Sequence, residues 1–216
     1  AIVMLMYFGF EPLVRRVWPQ LLVSWARLMR LRIADALVGR VILLGCCVAT
    51  ANSVVCNLAQ TAGLFAPMDL NAFSLGGMEN TIVTLLNAQM AGVLISTIGV
   101  VLLLLFMIFG SKWIAVLLLG SVFTAVNVLE FNAVPAGWLV AAVLGVCIAY
   151  CFSVFGLLFA IVYFAIVDML HQPMTSDPSL FYFPNGIFVL GVVAMIGIYG
   201  YQTSVGNGLS IRRMSG

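Results

Sequence analysis

Hydrophobic residues fill long, uninterrupted blocks of this chain, and short polar stretches separate the blocks. A helix that crosses a membrane needs about 20 mainly apolar residues, and several blocks reach that length. A membrane β-barrel would instead show apolar and polar residues in alternation. The pattern therefore predicts an all-α, polytopic transmembrane helical bundle of about five spans, over residues 38–62, 81–109, 113–129, 137–167 and 184–203.

The amino-terminal region has a different pattern, because apolar residues recur at helical spacing within residues 11–34. One face of this predicted helix holds Trp18 and Trp25, and the opposite face is polar and basic. Such a composition is typical of an amphipathic helix in the membrane interface, and packing against a partner subunit is the alternative. We assign an amphipathic basic interfacial segment, a transmembrane helical domain and a short polar tail to residues 1–37, 38–203 and 204–216.

Composition agrees with a membrane location, since 64% of the residues are hydrophobic and only 7% are charged. A soluble domain is about half apolar and about a quarter charged. A soluble fold with so few ionisable groups would expose large apolar patches to water. The five cysteines all lie in predicted spans, where we interpret them as packing residues and not as a disulfide framework. Soluble classes of protein are thereby excluded.

Basic residues are concentrated near the amino terminus, where six of the nine Lys and Arg residues lie within the first forty positions. Positive charge beside the first span favours the cytoplasmic or matrix side of the membrane. No nucleic-acid partner is expected, because these arginines alternate with bulky apolar residues. Five spans would place Arg212 and Arg213 on the opposite side, so either the number of spans differs by one or the tail departs from the rule.

Ionisable and amide side chains near or within the spans are the candidate functional residues, because the membrane makes them energetically costly. Arg40 could extend to the lipid headgroups or pair with a buried carboxylate. Amides such as Asn52 could join helices by hydrogen bonds or line a hydrated path. Carboxylates at span ends could bind a cation, relay protons or mark the membrane boundary. The candidates are Arg40, Asn87, Gln89, Asn127, Glu130, Asp168 and His171.

No residue is predicted to be catalytic, to bind a cofactor or to hold a metal ion. The chain has a single histidine and lacks a phosphate-binding glycine loop and a Ser/His/Asp set. An enzyme acting on lipid or quinone would need a polar cluster at one membrane surface, and only the Asp168–His171 segment could supply it. We therefore expect a protein that is not an enzyme.

Stripes of small residues on the last two predicted spans favour close contact between helices, within the chain or with other membrane subunits. We expect a non-catalytic membrane subunit of a larger multisubunit complex, energy-transducing or secretory, in a bacterial inner or mitochondrial inner membrane. The alternative is a stand-alone or homo-oligomeric channel or transporter for an ion or small solute. That alternative requires the charged candidates and the Asn87/Gln89 pair to converge on one path. The stripes are Gly145, Ala149, Ser153 and Gly156, and Gly191, Ala194 and Gly197.

Overall fold

The computed structural model describes residues 18, 20–30, 34–66, 78–107, 111–172, 179–180 and 183–214. Regular structure in these residues is helical, and they contain no strand. The helices are α1 (Gln20–Met29), α2 (Ala36–Thr61), α3 (Met78–Phe106), α4 (Lys112–Glu130), α5 (Gly137–Phe155), α6 (Leu157–Leu170) and α7 (Phe183–Met214).

Five of these helices are long and apolar enough to cross a membrane, namely α2, α3, α4, α5 and α7. The predicted all-α bundle of about five spans is therefore confirmed. The chain is a polytopic integral membrane protein.

The prediction of one continuous span over residues 137–167 is wrong, because the chain reverses at Gly156. This glycine has a φ of 81° and a ψ of −166°, a conformation that only glycine adopts readily. A Cβ at this position would also collide with the carbonyl oxygen of Leu21. The helix ends at Phe155, and α6 returns through the bundle.

Helix α6 is apolar on all sides and lies in the core. Its 14 residues rise about 21 Å, which is less than the thickness of a bilayer core. Most of its side chains are buried, including Phe159 and Tyr163. A helix that is hydrophobic all round is either buried in a protein core or surrounded by lipid. Here α2 and α3 supply most of that cover.

The reversal places α7 in the opposite direction to α2. A Cβ on Gly200 would lie 2.9 Å from the backbone nitrogen of Leu43, and one on Gly39 would collide with Thr203. The carboxyl-terminal part of α7 therefore lies beside the beginning of α2. We call this side of the bundle the proximal side, and the side where α4 and α6 end the distal side. Since α7 continues to Met214, its end belongs to the proximal side.

Helix α1 packs against the bundle on the proximal side. Leu21, Leu22 and Ser24 are buried. Ser24 is expected on the polar face of this helix, so protein covers part of that face. Arg27 donates a hydrogen bond of 2.9 Å to Asp35, which also caps α2 by accepting from the Leu37 amide at 2.8 Å. Only residues 18, 20–30 and 34 of the predicted 11–34 helix are described, so its interfacial placement stays a prediction.

Candidate functional site

A cavity of about 340 Å³ lies inside the bundle and reaches its distal end. Helix α3 packs mainly on α6, and α4 packs mainly on α5, and the cavity occupies the space between these two pairs. Along α4 it extends from Glu130 back to Val122, which corresponds to about 12 Å of helix rise. Most of the lining side chains are apolar. The few polar side chains in this lining are therefore the candidates for contact with a ligand.

Four of the seven candidate residues line this cavity. Asn127 and Glu130 come from the last turn of α4, and Asp168 and His171 come from the end of α6. The spacing of three residues in each pair places both members on one helix face. Glu130 and Asp168 are close enough for their charges to repel each other. Two helices that run in the same direction thus bring their polar ends together.

Two further polar residues line the cavity and are absent from the seven candidates. Asn52 on α2 is only 7% exposed, and its Oδ1 has no hydrogen-bond partner among the residues that the structure describes. Tyr163 on α6 is 2% exposed. In the sequence, Asn52 lies within a stripe of small residues at helical spacing, which indicates a closely packed helix face; the stripe is Gly45, Ala49, Cys56 and Ala59.

His171 is held at the distal end by aromatic contacts. Its ring meets the edge of Phe131 at a centroid distance of 5.9 Å and an interplanar angle of 88°. Phe131 in turn stacks on Phe65 at 5.1 Å. Burial lowers the pKa of His171 from its ordinary value, because a charged imidazolium loses its hydration there. Its Nε2 has no hydrogen-bond partner among the described residues, so it can still bind a ligand.

The remaining three candidates lie elsewhere. Arg40 is exposed near the beginning of α2, about 18 Å of helix rise before Asn52. Asn87 is exposed on α3. Gln89 lines a separate apolar groove of about 320 Å³ between α2, α3, α6 and α7. The structure thus brings the two carboxylates together but leaves Arg40 and the Asn87/Gln89 pair apart from them.

The two stripes of small residues have different surroundings. A Cβ on Gly145 would lie 2.6 Å from the Thr124 nitrogen and 2.8 Å from the Gly120 oxygen, so this stripe joins α5 to α4. On α7, a Cβ on Gly191 or Gly197 would meet nothing within 4 Å. The first stripe is therefore used within the fold, and the second faces away from the described residues.

The cavity is not arranged as a metal centre. Among the residues that the structure describes, no three His, Cys, Asp or Glu side chains are close enough together to hold a metal ion. The cavity volume falls instead in the range of small-molecule sites, about 300–1,000 Å³. Neither the profile of a known protein family, nor a curated protein sequence, nor a solved structure matches this chain.

Proposed function

We propose that this chain is a membrane transport protein, a channel or a carrier. Its solute is bound in the cavity lined by Asn127, Glu130, Asp168 and His171, which we call the distal cavity. The observation that carries the proposal is the meeting of Glu130, Asp168 and His171 with Asn52 and Asn127 in one space. Ionisable groups in a bilayer are costly, and they commonly mark the path of an ion or substrate.

Arg40 and the Asn87/Gln89 pair do not converge on this cavity, as the transporter hypothesis drawn from the sequence requires, so the proposal rests on the residues of the distal cavity alone. Within the distal cavity, the geometry favours transport over a purely structural role. Glu130 is exposed at the end of α4, as a carboxylate at the membrane boundary would be, but Asp168 is only partly exposed and both carboxylates line the same cavity. An amide that only joins helices would be hydrogen-bonded to a neighbouring helix, whereas the Oδ1 of Asn52 has no hydrogen-bond partner in the described part of the chain. These groups are therefore available to a solute.

Flux through reconstituted liposomes tests this proposal. Purified protein would be assayed by solid-supported membrane electrophysiology with a panel of inorganic and organic ions. We expect currents above those of protein-free liposomes, and a decrease of at least about tenfold with Asp168→Asn or Glu130→Gln. Glu79→Gln is the matched control, because Glu79 is an exposed carboxylate at the start of α3 and does not line the cavity. Equal currents in all variants would contradict the proposal.

A second candidate function is that of a non-catalytic subunit of a multisubunit complex in a bacterial inner or mitochondrial inner membrane. It is supported by the open face of α7 around Gly191 and Gly197, where another helix could approach closely. Native mass analysis in mild detergent would show unlike subunits in a fixed ratio. We expect Gly191→Leu with Gly197→Leu to abolish that association, and a monomer or closed homo-oligomer would contradict it.

A further inference from the structure

The distal cavity combines negative charge with a mainly apolar wall. Glu130 and Asp168 lie at its end, and none of the described residues that line it is Lys or Arg. Asn52, on the buried face of α2, lines the same cavity as Glu130 and Asp168.

Aromatic rings form part of the wall of the cavity. Phe164 meets Tyr163 edge-on at 5.1 Å and Phe123 at 5.6 Å, so these rings hold one another in place. All three line the cavity. Aromatic faces attract cations, and they also pack well against an apolar body. A ligand that carries both a positive charge and an apolar group would match the two parts of this wall.

Asn52 adds a requirement for a hydrogen-bond donor. More than nine-tenths of the residue is buried, and its Oδ1 lacks a hydrogen-bond partner within the described ranges of the chain. A buried acceptor without a partner costs about 1–3 kcal/mol, so a ligand that donates a hydrogen bond here is favoured. A protonated amine has N–H donors, whereas a quaternary ammonium has none. Asn52 therefore distinguishes between two kinds of organic cation.

We infer that the distal cavity binds an organic cation, specifically a protonated amine with an apolar body. The ammonium group lies between Glu130 and Asp168 and donates to Asn52, and the apolar body packs against Phe123, Tyr163 and Phe164. This inference rests on the proposed transport function and names the substrate class of the same site. A bare metal ion is a poorer match, because the described residues offer no cluster of three ligands.

Binding of matched probes tests the inference on the unmodified chain. Isothermal titration calorimetry on the full chain in lipid nanodiscs would compare 2-phenylethylammonium, its neutral isostere 2-phenylethanol and its N,N,N-trimethyl derivative, with empty nanodiscs to subtract partition into lipid. We expect the primary ammonium to bind at least about tenfold more tightly than the alcohol, and more tightly than the trimethyl compound. Equal binding of the alcohol, or no binding of the ammonium, would overturn the inference.

Variants assign the binding to the cavity. We expect Asp168→Asn to weaken binding of the ammonium at least about tenfold and Glu79→Gln to leave it unchanged. Asn52→Leu should remove the preference for the primary over the trimethyl compound, and an unchanged preference would contradict the role of Asn52. Asp168→Glu keeps the negative charge and should retain most of the binding. Binding by this variant would show that the loss in Asp168→Asn comes from the missing charge and not from misfolding.

Failure of the inference and failure of the proposed function give different results. If the alcohol binds as well as the ammonium while liposome currents still depend on Asp168, the cavity is a transport site for another solute. If no probe binds and the currents are those of protein-free liposomes, both the inference and the proposed transport function are wrong.

Discussion

The protonation of His171, which lines the cavity, affects the stability of the fold. Burial lowers its pKa below the ordinary value of 6.5, and the unfolded chain regains that ordinary value. Below about pH 6.5 the unfolded chain therefore binds the proton more readily than the folded one. The stability that His171 contributes is complete above this pH and decreases as the pH falls toward the folded-state pKa.

We therefore expect the unfolding temperature of the native chain in detergent, followed by intrinsic fluorescence, to fall relative to that of His171→Gln between pH 7.5 and pH 5.5. For one group this relative loss is at most about 1.4 kcal/mol per pH unit. Glu130 and Asp168 also face the cavity and remain in both proteins, so the difference between the two curves reports on His171. Parallel curves would contradict the assignment.

At the residue scale, each pair of polar residues on one helix could be predicted from the sequence. The position of the two pairs in one cavity could not. The three-residue spacing of Asn127 with Glu130, and of Asp168 with His171, already indicates a shared helix face. That the two pairs reach one cavity depends on the direction of α6. The sequence also gives no sign that Arg40 lies far from the carboxylates, because a long basic side chain near a span end suits both a surface and a buried position.

Gly156 decides the direction of α6, and its substitution is the sharpest test at the scale of elements. Alanine would be strained by the positive φ, and its Cβ would also collide with Leu21 on α1. Gly63 is the control for a positive φ without crowding, because its φ is 71° and a Cβ there would meet no described atom within 4 Å.

We expect Gly63→Ala to cost about 1–2 kcal/mol from backbone strain alone. Gly156→Ala should cost about 1–3 kcal/mol more, because overpacking adds to the strain. Chemical denaturation in mixed micelles would measure both values. Equal losses of stability would mean that α1 does not pack against the reversal.

Close packing of α4 against α5 depends on Gly145. A Cβ on Gly145 would meet backbone atoms of α4 at 2.6 and 2.8 Å, and backbone cannot move aside as a flexible side chain can. We expect Gly145→Ala to destabilise the bundle by about 1–3 kcal/mol. Gly191→Ala on the open face of α7 should be neutral or slightly stabilising, since alanine favours helix. Thermal unfolding of the two variants side by side checks this, and a stable Gly145→Ala protein would contradict the packing.

At the element scale, apolar length predicted the long helices but not the reversal between α5 and α6. Residues 137–167 form one continuous apolar block, and the glycine at 156 sits in a stripe of small residues that also suits an unbroken helix. Only the contact of Gly156 with α1, far away in the sequence, reveals the turn. Tertiary contacts of this kind leave no periodic signal in the segment itself.

For the whole molecule, the reversal resolves a conflict in the charge distribution. With five alternating spans, Arg212 and Arg213 would lie opposite the arginine-rich amino-terminal flank. Because α6 returns the chain to the distal side, α7 instead ends on the proximal side, where Lys112 also begins α4. Lys112 and the basic end of α7 then share one side, as the positive-inside rule requires.

Thiol labelling of sealed vesicles tests this arrangement. Single cysteines at Ser111→Cys, Asn132→Cys and Met214→Cys, in a chain whose five native cysteines are replaced, would be exposed to a membrane-impermeant maleimide. Position 214 lies about 16 Å of helix rise beyond Thr203, so it clears the start of α2. We expect positions 111 and 214 to react from one side and position 132 from the other, with all three reacting after lysis. Labelling of 214 together with 132 would restore a continuous span over residues 137–167, and it would separate Asp168 from Glu130 by the thickness of the membrane, so the transport cavity would be lost with it.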